Sequence, residues 1–212
     1  MIDTERESII KLAESMFDLA PDSTTENLLE SMYNSSGQSL SGLANNLANT
    51  DLFKSKIGSL DDINNEVSYL MDSFDLKDGT EAGTLAKNFF QNELHNGKAI
   101  GDIYAEAVEY LSSDAKLSIF NDTAKMLDNK YNVAQDFIKS GVKAKDISDL
   151  DIISNVTSDD KTVSDTIKFI EEKFNINIDD SIKDIVEDYI DNNDIKSVGI
   201  PDNDSIPDNI HI

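Results

Sequence analysis

The chain has 212 residues, among which 42 Asp and Glu against 18 Lys and Arg give a net charge of −24. A charge of this size repels polyanions before any specific contact forms, which excludes DNA and RNA as partners and disfavours anionic lipid surfaces. The absence of cysteine excludes a disulfide, a thiolate nucleophile and a zinc–thiolate site.

Apolar spacing predicts three helices at the start of the chain. Over residues 9–20 apolar side chains follow one another at steps of three and four, and Thr4-x-x-Glu7 ahead of them predicts a capping box. A second helix is predicted to end at the turn of residues 34–37, and a third covers residues 40–48.

The same pattern of helices then continues. Ser59-x-x-Asp62 is predicted to begin a helix over residues 63–74, and two more helices carry residues 85–90 and 100–111.

A degenerate duplication underlies this order, because Met16-Phe17-Asp18-Leu19 returns as Ser73-Phe74-Asp75-Leu76 about 57 residues later. The alignment also pairs Leu28 with Leu85, Met32 with Phe89, Gly37 with Gly97, Leu40 with Ile100 and Leu43 with Ile103. The shared positions are mostly apolar, so they are predicted to be core positions of a duplicated structural unit. Units of this kind build binding or assembly modules more often than active sites.

The second half of the chain is also helical. A long amphipathic stretch over residues 114–138 stops at Gly141, a predicted C-cap, and Thr157-x-x-Asp160 opens a further helix. A last helix is predicted over residues 180–190. Because apolar residues are spaced by three or four and not by two, we predict an all-α bundle of about nine to ten short helices.

The C-terminal residues differ in kind. Ile200-Pro201-Asp202-Asn203 returns as Ile206-Pro207-Asp208-Asn209, a composition that cannot hold a helix and predicts a flexible linker. The predicted organisation is therefore a duplicated helical lobe over residues 1–113, a second helical lobe over 114–198, and a linker or tail over 199–212. Such a tail is expected either where the 212 residues are the N-terminal module of a longer protein or where the tail itself is an export or docking segment.

The sequence offers little for catalysis. Its two histidines, His95 and His211, have no nucleophile at motif spacing, and no phosphate-binding glycine loop, HExxH pattern or nucleophile elbow occurs. The many carboxylate pairs are interpreted as solvated helix faces or as charges at helix N-termini. We therefore predict that the protein is not an enzyme.

Four aspartates are the candidate ligand-binding residues. Asp18 and Asp22 in the first copy, and Asp75 and Asp78 in the second, lie in equivalent loops between predicted helices. Carboxylate oxygens suit Ca²⁺, which is the candidate cofactor, although no metal ligands are assigned and loop aspartates also cap helices.

Two parts of the chain resemble the N-terminal helical repeat region of bacterial S-layer and RTX-type surface proteins. The first part comprises Leu19-Ala20-Pro21-Asp22, Leu28, Tyr33, Ser36-Gly37-Gln38-Ser39-Leu40, Leu43-Ala44 and Thr50-Asp51-Leu52-Phe53-Lys54. The second comprises Phe120-Asn121, Leu127-x-Asn129-Lys130-x-x-Val133-Ala134, Ile153-x-x-Val156-Thr157-x-Asp159 and Val163. The resemblance implies an α-helical domain that leaves the cell by type I secretion and, in S-layer proteins, anchors the lattice to lipopolysaccharide with calcium ordering the remainder.

The N-terminal residues agree with that export route, because acidic residues stand where a Sec signal peptide needs basic ones and no apolar run follows. The sequence also lacks a run of about 18 consecutive apolar residues, so no membrane span is predicted.

We therefore expect an extracellular, cell-surface module that anchors or assembles a secreted protein. Its expected partner is envelope polysaccharide or other copies of a surface-layer protein, received in a groove between the two repeat copies. Two alternatives stay open at this point: a protein–protein interaction or matrix-assembly subunit that binds no glycan, and an intracellular acidic regulator.

Overall fold

Eleven helical segments form the regular secondary structure of residues 3–58 and 62–178, the part of the chain that the computed structural model describes. Nine are α-helices, and no strand occurs in these two ranges, which confirms the all-α prediction. The α-helices are α1 (Asp3–Phe17), α2 (Ser23–Ser35), α3 (Leu40–Ala48), α4 (Asp51–Ile57), α5 (Ile63–Ser73), α6 (Glu81–His95), α7 (Ile100–Leu111), α8 (Asn121–Lys139) and α9 (Asp160–Phe174). Two short 3-10 helices cover Ser118–Phe120 and Ile147–Asp149.

Helix starts were predicted correctly at α5 and α9 and incorrectly at α1. At α5 the side chain of Asp62, the last residue of the predicted Ser59-x-x-Asp62 start, is the cap, and Ser59 lies outside the described residues. Thr4 cannot be the cap of α1, because it already lies inside that helix. Helix α9 begins at Asp160 as predicted; its cap is the side chain of Asp159, whose N–H donates a hydrogen bond to the Thr157 hydroxyl at 3.1 Å.

Helix α4 is an element that apolar spacing did not predict. Its seven residues carry only two deeply buried side chains, Phe53 and Ile57, which is too short a pattern to show a helical period. The Thr50 hydroxyl caps its N-terminus by accepting a hydrogen bond from the Phe53 N–H. Helix α4 links the first repeat copy, α1 to α3, to the second, α5 to α7.

The duplication is visible in the turns as well as in the order of helices. Asp18 and Asp75, which follow the first helix of each copy, both have a positive φ, at 51° and 47°. Gly37 and Gly97, which follow the second helix of each copy, have φ angles of 73° and 81°. Left-handed residues at matching positions end the matching helices in the same way.

Burial corrects part of the predicted core. Leu29 and Tyr33 of α2 and their counterparts Ala86 and Phe90 of α6 are buried as expected. Three apolar residues of the aligned set, by contrast, are exposed: Leu28, Leu85 and Phe89. They lie on the outer faces of α2 and α6 because the neighbouring residues already fill the inner faces.

The two copies meet where α3 packs against α7, without room for a side chain at the crossing. A Cβ atom on Gly101 of α7 would lie 2.6 Å from the Asn45 backbone nitrogen of α3. Beside this contact the Asp102 carboxylate accepts hydrogen bonds from Ser41 and from the Asn45 side-chain amide, the latter at 2.7 Å. The two helices are therefore joined by close backbone contact and by a shared carboxylate.

Helices α8 and α9 complete the unit, with α8 packed on α1 and α9 on α8. The main core cluster extends from Ile9 to Leu127, and Gly141 follows α8 with a φ of 70°, as predicted for a C-cap residue. The predicted α8 stretch begins too early, because Leu117 precedes the 3-10 helix and is exposed. The predicted lobe boundary at residue 113 stays a prediction.

The predicted helix over residues 180–190 and the predicted tail over 199–212 lie outside the described residues. Among the helices that are described, none has the length and the apolar character needed to cross a membrane.

Candidate binding sites

Of the four predicted ligand residues, Asp18 is engaged by a lysine of α8. Its Oδ1 atom lies 2.5 Å from Lys130 Nζ, and the lysine side chain is largely buried while the carboxylate is about half exposed. The positive φ of Asp18 turns the chain at the end of α1 so that its carboxylate meets α8. Asp18 thus joins the last helical pair to the first repeat copy.

Asp22 is buried and holds two segments of backbone. One carboxylate oxygen caps α2 by accepting the Thr25 N–H at 2.8 Å, and the other accepts the Ala144 N–H at 3.0 Å. Burial favours a higher pKa for Asp22, but the hydrogen bonds from Thr25, Ala144 and Thr24 outweigh it and lower the pKa below its ordinary value. Both oxygens are therefore occupied by structural hydrogen bonds.

Asp75 and Asp78 of the second copy are more exposed. Asp78 pairs with Lys87, whose Nζ lies 2.9 Å from Oδ1, and Asp75 lies 3.8 Å from Lys77 Nζ. The equivalence of the two loops holds for the backbone turn at residues 18 and 75 but not for the carboxylate contacts.

In the part of the chain that the structure describes, the four aspartates do not belong to a group of side chains placed to bind a metal ion. Within residues 3–58 and 62–178, no group of three or more His, Asp or Glu side chains is placed to hold a metal ion. Both oxygens of Asp22 accept backbone N–H groups, whereas Asp18 contacts an ammonium group through Oδ1. A calcium ion bound by Asp22 would therefore compete with structural hydrogen bonds.

A cleft of about 330 Å³ lies between α5 and α6 and contains one of the predicted residues, Asp78. We call it the polar cleft, because carboxylate, amine, amide and hydroxyl groups contribute to its wall: Asn64, Ser68, Asp72, Lys77, Asp78, Lys87 and Gln91. Val67, Met71 and Leu76 supply its apolar part. The mixture of donors and acceptors suits a hydroxyl-rich ligand.

A second concavity, the apolar groove, was not predicted. It has a volume of about 430 Å³ and lies between α6, α7 and residues 117–120. Four large apolar side chains in its wall are strongly exposed: Leu85 (45%), Phe89 (41%), Tyr110 (38%) and Leu117 (54%). They account for half of the eight exposed large hydrophobic residues found in the described ranges.

The walls of the apolar groove are held in place by specific contacts. The Tyr110 hydroxyl accepts a hydrogen bond from the Leu117 N–H at 2.8 Å, which fixes the segment before the 3-10 helix against α7. The Tyr110 ring also meets Phe120 edge to face, with centroids 5.9 Å apart, and Phe89 meets Phe90 in the same way at 5.8 Å. The exposed rings therefore have ordered neighbours on their inner side.

A charged group borders the apolar groove at Glu106. Its two carboxylate oxygens lie 2.6 and 2.7 Å from Lys98 Nζ, and Glu93 approaches the same ammonium at 2.8 Å. The hydrogen bonds that Lys98 donates to Glu106 and Glu93 raise the pKa of Lys98. Two carboxylates thus share one cation, which leaves net negative charge at this border.

The sequence pattern of α6 did not reveal the apolar groove. Two apolar pairs with a spacing of four residues lie side by side in this helix, Leu85 with Phe89 and Ala86 with Phe90. Helix α1 has the same double pattern over residues 12–17 and buries all of it, so the pattern alone does not show that one pair is exposed. Tyr33, Phe90 and Tyr104, interpreted from sequence as core aromatics, are indeed buried.

Comparison of the chain with protein-family models, with curated proteins and with solved structures finds no match.

Proposed function

We propose that this chain is a non-enzymatic binding module that docks an apolar segment of a partner protein in the apolar groove. The observation that carries the proposal is the convergence of Leu85, Phe89, Tyr110 and Leu117 on one ordered concavity. Scattered exposed apolar residues are ordinary on protein surfaces, whereas a contiguous patch of them marks interaction sites.

The shape of the apolar groove favours a helical or extended peptide segment as its occupant. Two helices and a short 3-10 segment form its walls, and grooves of this kind receive amphipathic segments through apolar anchors at helical spacing. Side chains such as Phe and Tyr supply large contact areas at little cost in conformational entropy.

The net charge of the chain favours a different protein over a second copy of this chain as the occupant of the apolar groove. A net charge of −24 on each copy opposes association of two copies, and the carboxylates of Glu93 and Glu106 add negative charge beside the groove. We therefore assign as occupant a segment with apolar anchors and basic flanks. In a secreted surface protein of the S-layer or RTX type, such docking would attach this module to another component of the assembly.

The experiment that tests this proposal uses a designed probe, an amphipathic helical peptide of about 18 residues with leucine on one face and lysine on the other. Its affinity is measured by isothermal titration calorimetry at about 0.3 M NaCl, where exposed charges are largely screened. Leu85→Ser and Phe89→Ser are each expected to weaken binding at least tenfold, since burial of one such side chain contributes about 1.5–3 kcal/mol.

The matched control is Phe169→Ser, which removes an exposed phenylalanine of α9 outside the groove. It should leave the affinity unchanged. Equal affinity of wild type, Leu85→Ser and Phe89→Ser would refute the groove as the docking site.

A second candidate function, anchoring to envelope polysaccharide, is supported by the polar cleft. Asn64, Ser68 and Gln91 can bond sugar hydroxyls, and Asp78, predicted from sequence, lies in the same wall. Binding of purified lipopolysaccharide that is weakened by Asp78→Asn and Gln91→Ala, and not by Leu85→Ser, would favour this function over protein docking.

A further inference from the structure

A buried carboxyl on α1 has no partner among the described residues. Glu14 has 0% of its surface exposed, and neither of its two side-chain oxygens has a hydrogen-bond donor within reach in residues 3–58 and 62–178. Buried polar groups are almost always paired, because leaving one unpaired costs the free energy of its lost hydration. An ionised carboxylate in this position would cost far more than a neutral carboxyl.

The two cations whose charges act on Glu14, Lys130 and Lys11, are already engaged by other carboxylates. Lys11 Nζ lies 2.5 Å from both Glu7 Oε1 and Asp128 Oδ1, and Lys130 Nζ lies 2.5 Å from Asp18 Oδ1. Glu14 therefore lies within a cluster of charged residues between α1 and α8 but outside its ion pairs.

The polar groups of the other helices packed against α1 form hydrogen bonds with residues other than Glu14. Glu26 of α2 accepts a hydrogen bond from Arg6, while Lys56 of α4 and Tyr69 of α5 donate to the carbonyls of Phe17 and Met16. On α7, Tyr104 bonds to Ser73, and Asp102 accepts hydrogen bonds from Ser41 and Asn45. Helix α3 carries no titratable residue. The environment of Glu14 thus favours a neutral carboxyl.

We propose that Glu14 carries a proton in the folded chain, and that loss of this proton loosens the packing of α8 against α1. An ionised Glu14 would require the ammonium of Lys130 or Lys11, and taking it would leave Asp18 or Asp128 without its cation. Helix α1 is the main partner of α8 within the repeat unit, and α9 packs in turn on α8. The cluster is a proton-dependent latch between the repeat unit and the last two helices.

The direction of the pH effect follows from the burial. Burial, together with the nearby Asp18, raises the pKa of Glu14 well above its ordinary value, against the opposing influence of Lys130 and Lys11. Between the unfolded and the folded pKa, the folded chain holds a proton that the unfolded chain has released. Stability is therefore expected to fall as pH rises through this window, and the unfolding equilibrium constant to rise up to about tenfold per pH unit.

The test compares urea unfolding of wild type and Glu14→Gln, a neutral isostere of the protonated carboxyl, between about pH 5 and 8. The unfolding constant of wild type divided by that of Glu14→Gln should increase by up to about tenfold for each unit that the pH rises. Asp136, whose pKa burial raises to about 6, titrates in both proteins and cancels in the ratio. Glu172→Gln, an exposed position on α9, is the control and should keep a constant ratio to wild type.

A ratio that does not change with pH would overturn the proposal, because it would mean that Glu14 titrates alike in the folded and unfolded chains. If Glu14→Gln does not fold, the wild-type slope above about pH 7, beyond the titration of Asp136, gives the same test. Hydrogen exchange then tests the latch: α8 amides should lose protection with rising pH before those of α5 and α6. Equal loss in all three helices would refute the assignment to the α1–α8 contact.

Discussion

At the scale of single residues, the predicted ligand aspartates divide into structural and exposed groups. Asp22 connects the start of α2 to Ala144, which follows it by more than a hundred positions in the chain, and Asp18 connects α1 to α8. Asp78 remains accessible at the polar cleft. A mutation at Asp22 therefore reports on folding before it reports on any ligand.

We predict that Asp22→Ala lowers the free energy of unfolding by about 2–3 kcal/mol. The variant loses an N-cap, worth about 0.5–2 kcal/mol, and leaves the Ala144 N–H without its acceptor. The measurement is chemical denaturation at neutral pH, where the lowered pKa of Asp22 keeps its stabilising charge present; that contribution is lost as pH falls through the folded pKa. Asp78→Ala, at an exposed ion pair, should change stability by less than about 1 kcal/mol, and a comparable loss there would contradict the distinction.

Residue types alone placed Asp18, Asp22, Asp75 and Asp78 in loops correctly, since aspartate favours helix boundaries and turns. They could not show which carboxylates are occupied. The partners of Asp18 and Asp22, Lys130 and Ala144, are distant in sequence and are brought near only by the packing of α8 and the loop after it.

At the scale of helices, the α3–α7 contact is the point where the two repeat copies approach most closely in backbone. Gly101 makes this possible, because any larger residue would place a Cβ atom against Ala44 and Asn45. Most helix positions tolerate alanine better than glycine, by about 1 kcal/mol. At Gly101 the clash of an added Cβ atom is destabilising and exceeds the gain in helix propensity.

Gly101→Ala is accordingly expected to destabilise the protein by about 1–3 kcal/mol, in spite of the gain in helix propensity. Thermal unfolding followed by circular dichroism measures the effect. The comparison variant is Asn88→Ala on the exposed face of α6, which should be neutral or slightly stabilising. A stabilised Gly101→Ala would show that the helices separate without cost.

Helices of nine or more residues were predictable because their buried residues repeat at the helical period. Helix α4 was missed because a helix of seven residues is too short to show a helical period of buried residues. Leu117 was assigned to α8 because its spacing fits that helix, although the 3-10 helix separates Leu117 from the start of α8. The apolar groove was missed for a related reason. Whether Phe89 or Phe90 faces the core depends on which neighbouring helix covers α6, and spacing within α6 does not contain that information.

At the scale of the whole molecule, the net charge of −24 sets the response to salt. Carboxylates far outnumber ammonium and guanidinium groups, so folding gathers like charges into a smaller volume. Added NaCl screens this repulsion, since the Debye length falls from about 10 Å at 0.1 M to about 3 Å at 1 M.

We predict that the melting temperature rises by several degrees between about 0.05 and 0.5 M NaCl. Differential scanning calorimetry provides the measurement. A parallel series in MgCl2 and CaCl2 at equal ionic strength separates screening from specific binding, because a larger rise in CaCl2 alone would identify a calcium site. A melting temperature that falls with NaCl would mean that the internal ion pairs outweigh the overall repulsion.

The close seating of α3 on α7 has a consequence for the ancestry of the chain. Two equivalent helices, one from each repeat, meet face to face, which is the arrangement that two separate copies of a single repeat would form as a homodimer. Joining the copies through α4 turns a concentration-dependent encounter into an intramolecular one. The two copies now differ on their outer faces: Leu85, Phe89 and Tyr110 of the second copy line the apolar groove, whereas the exposed Leu28 of the first copy lies outside it.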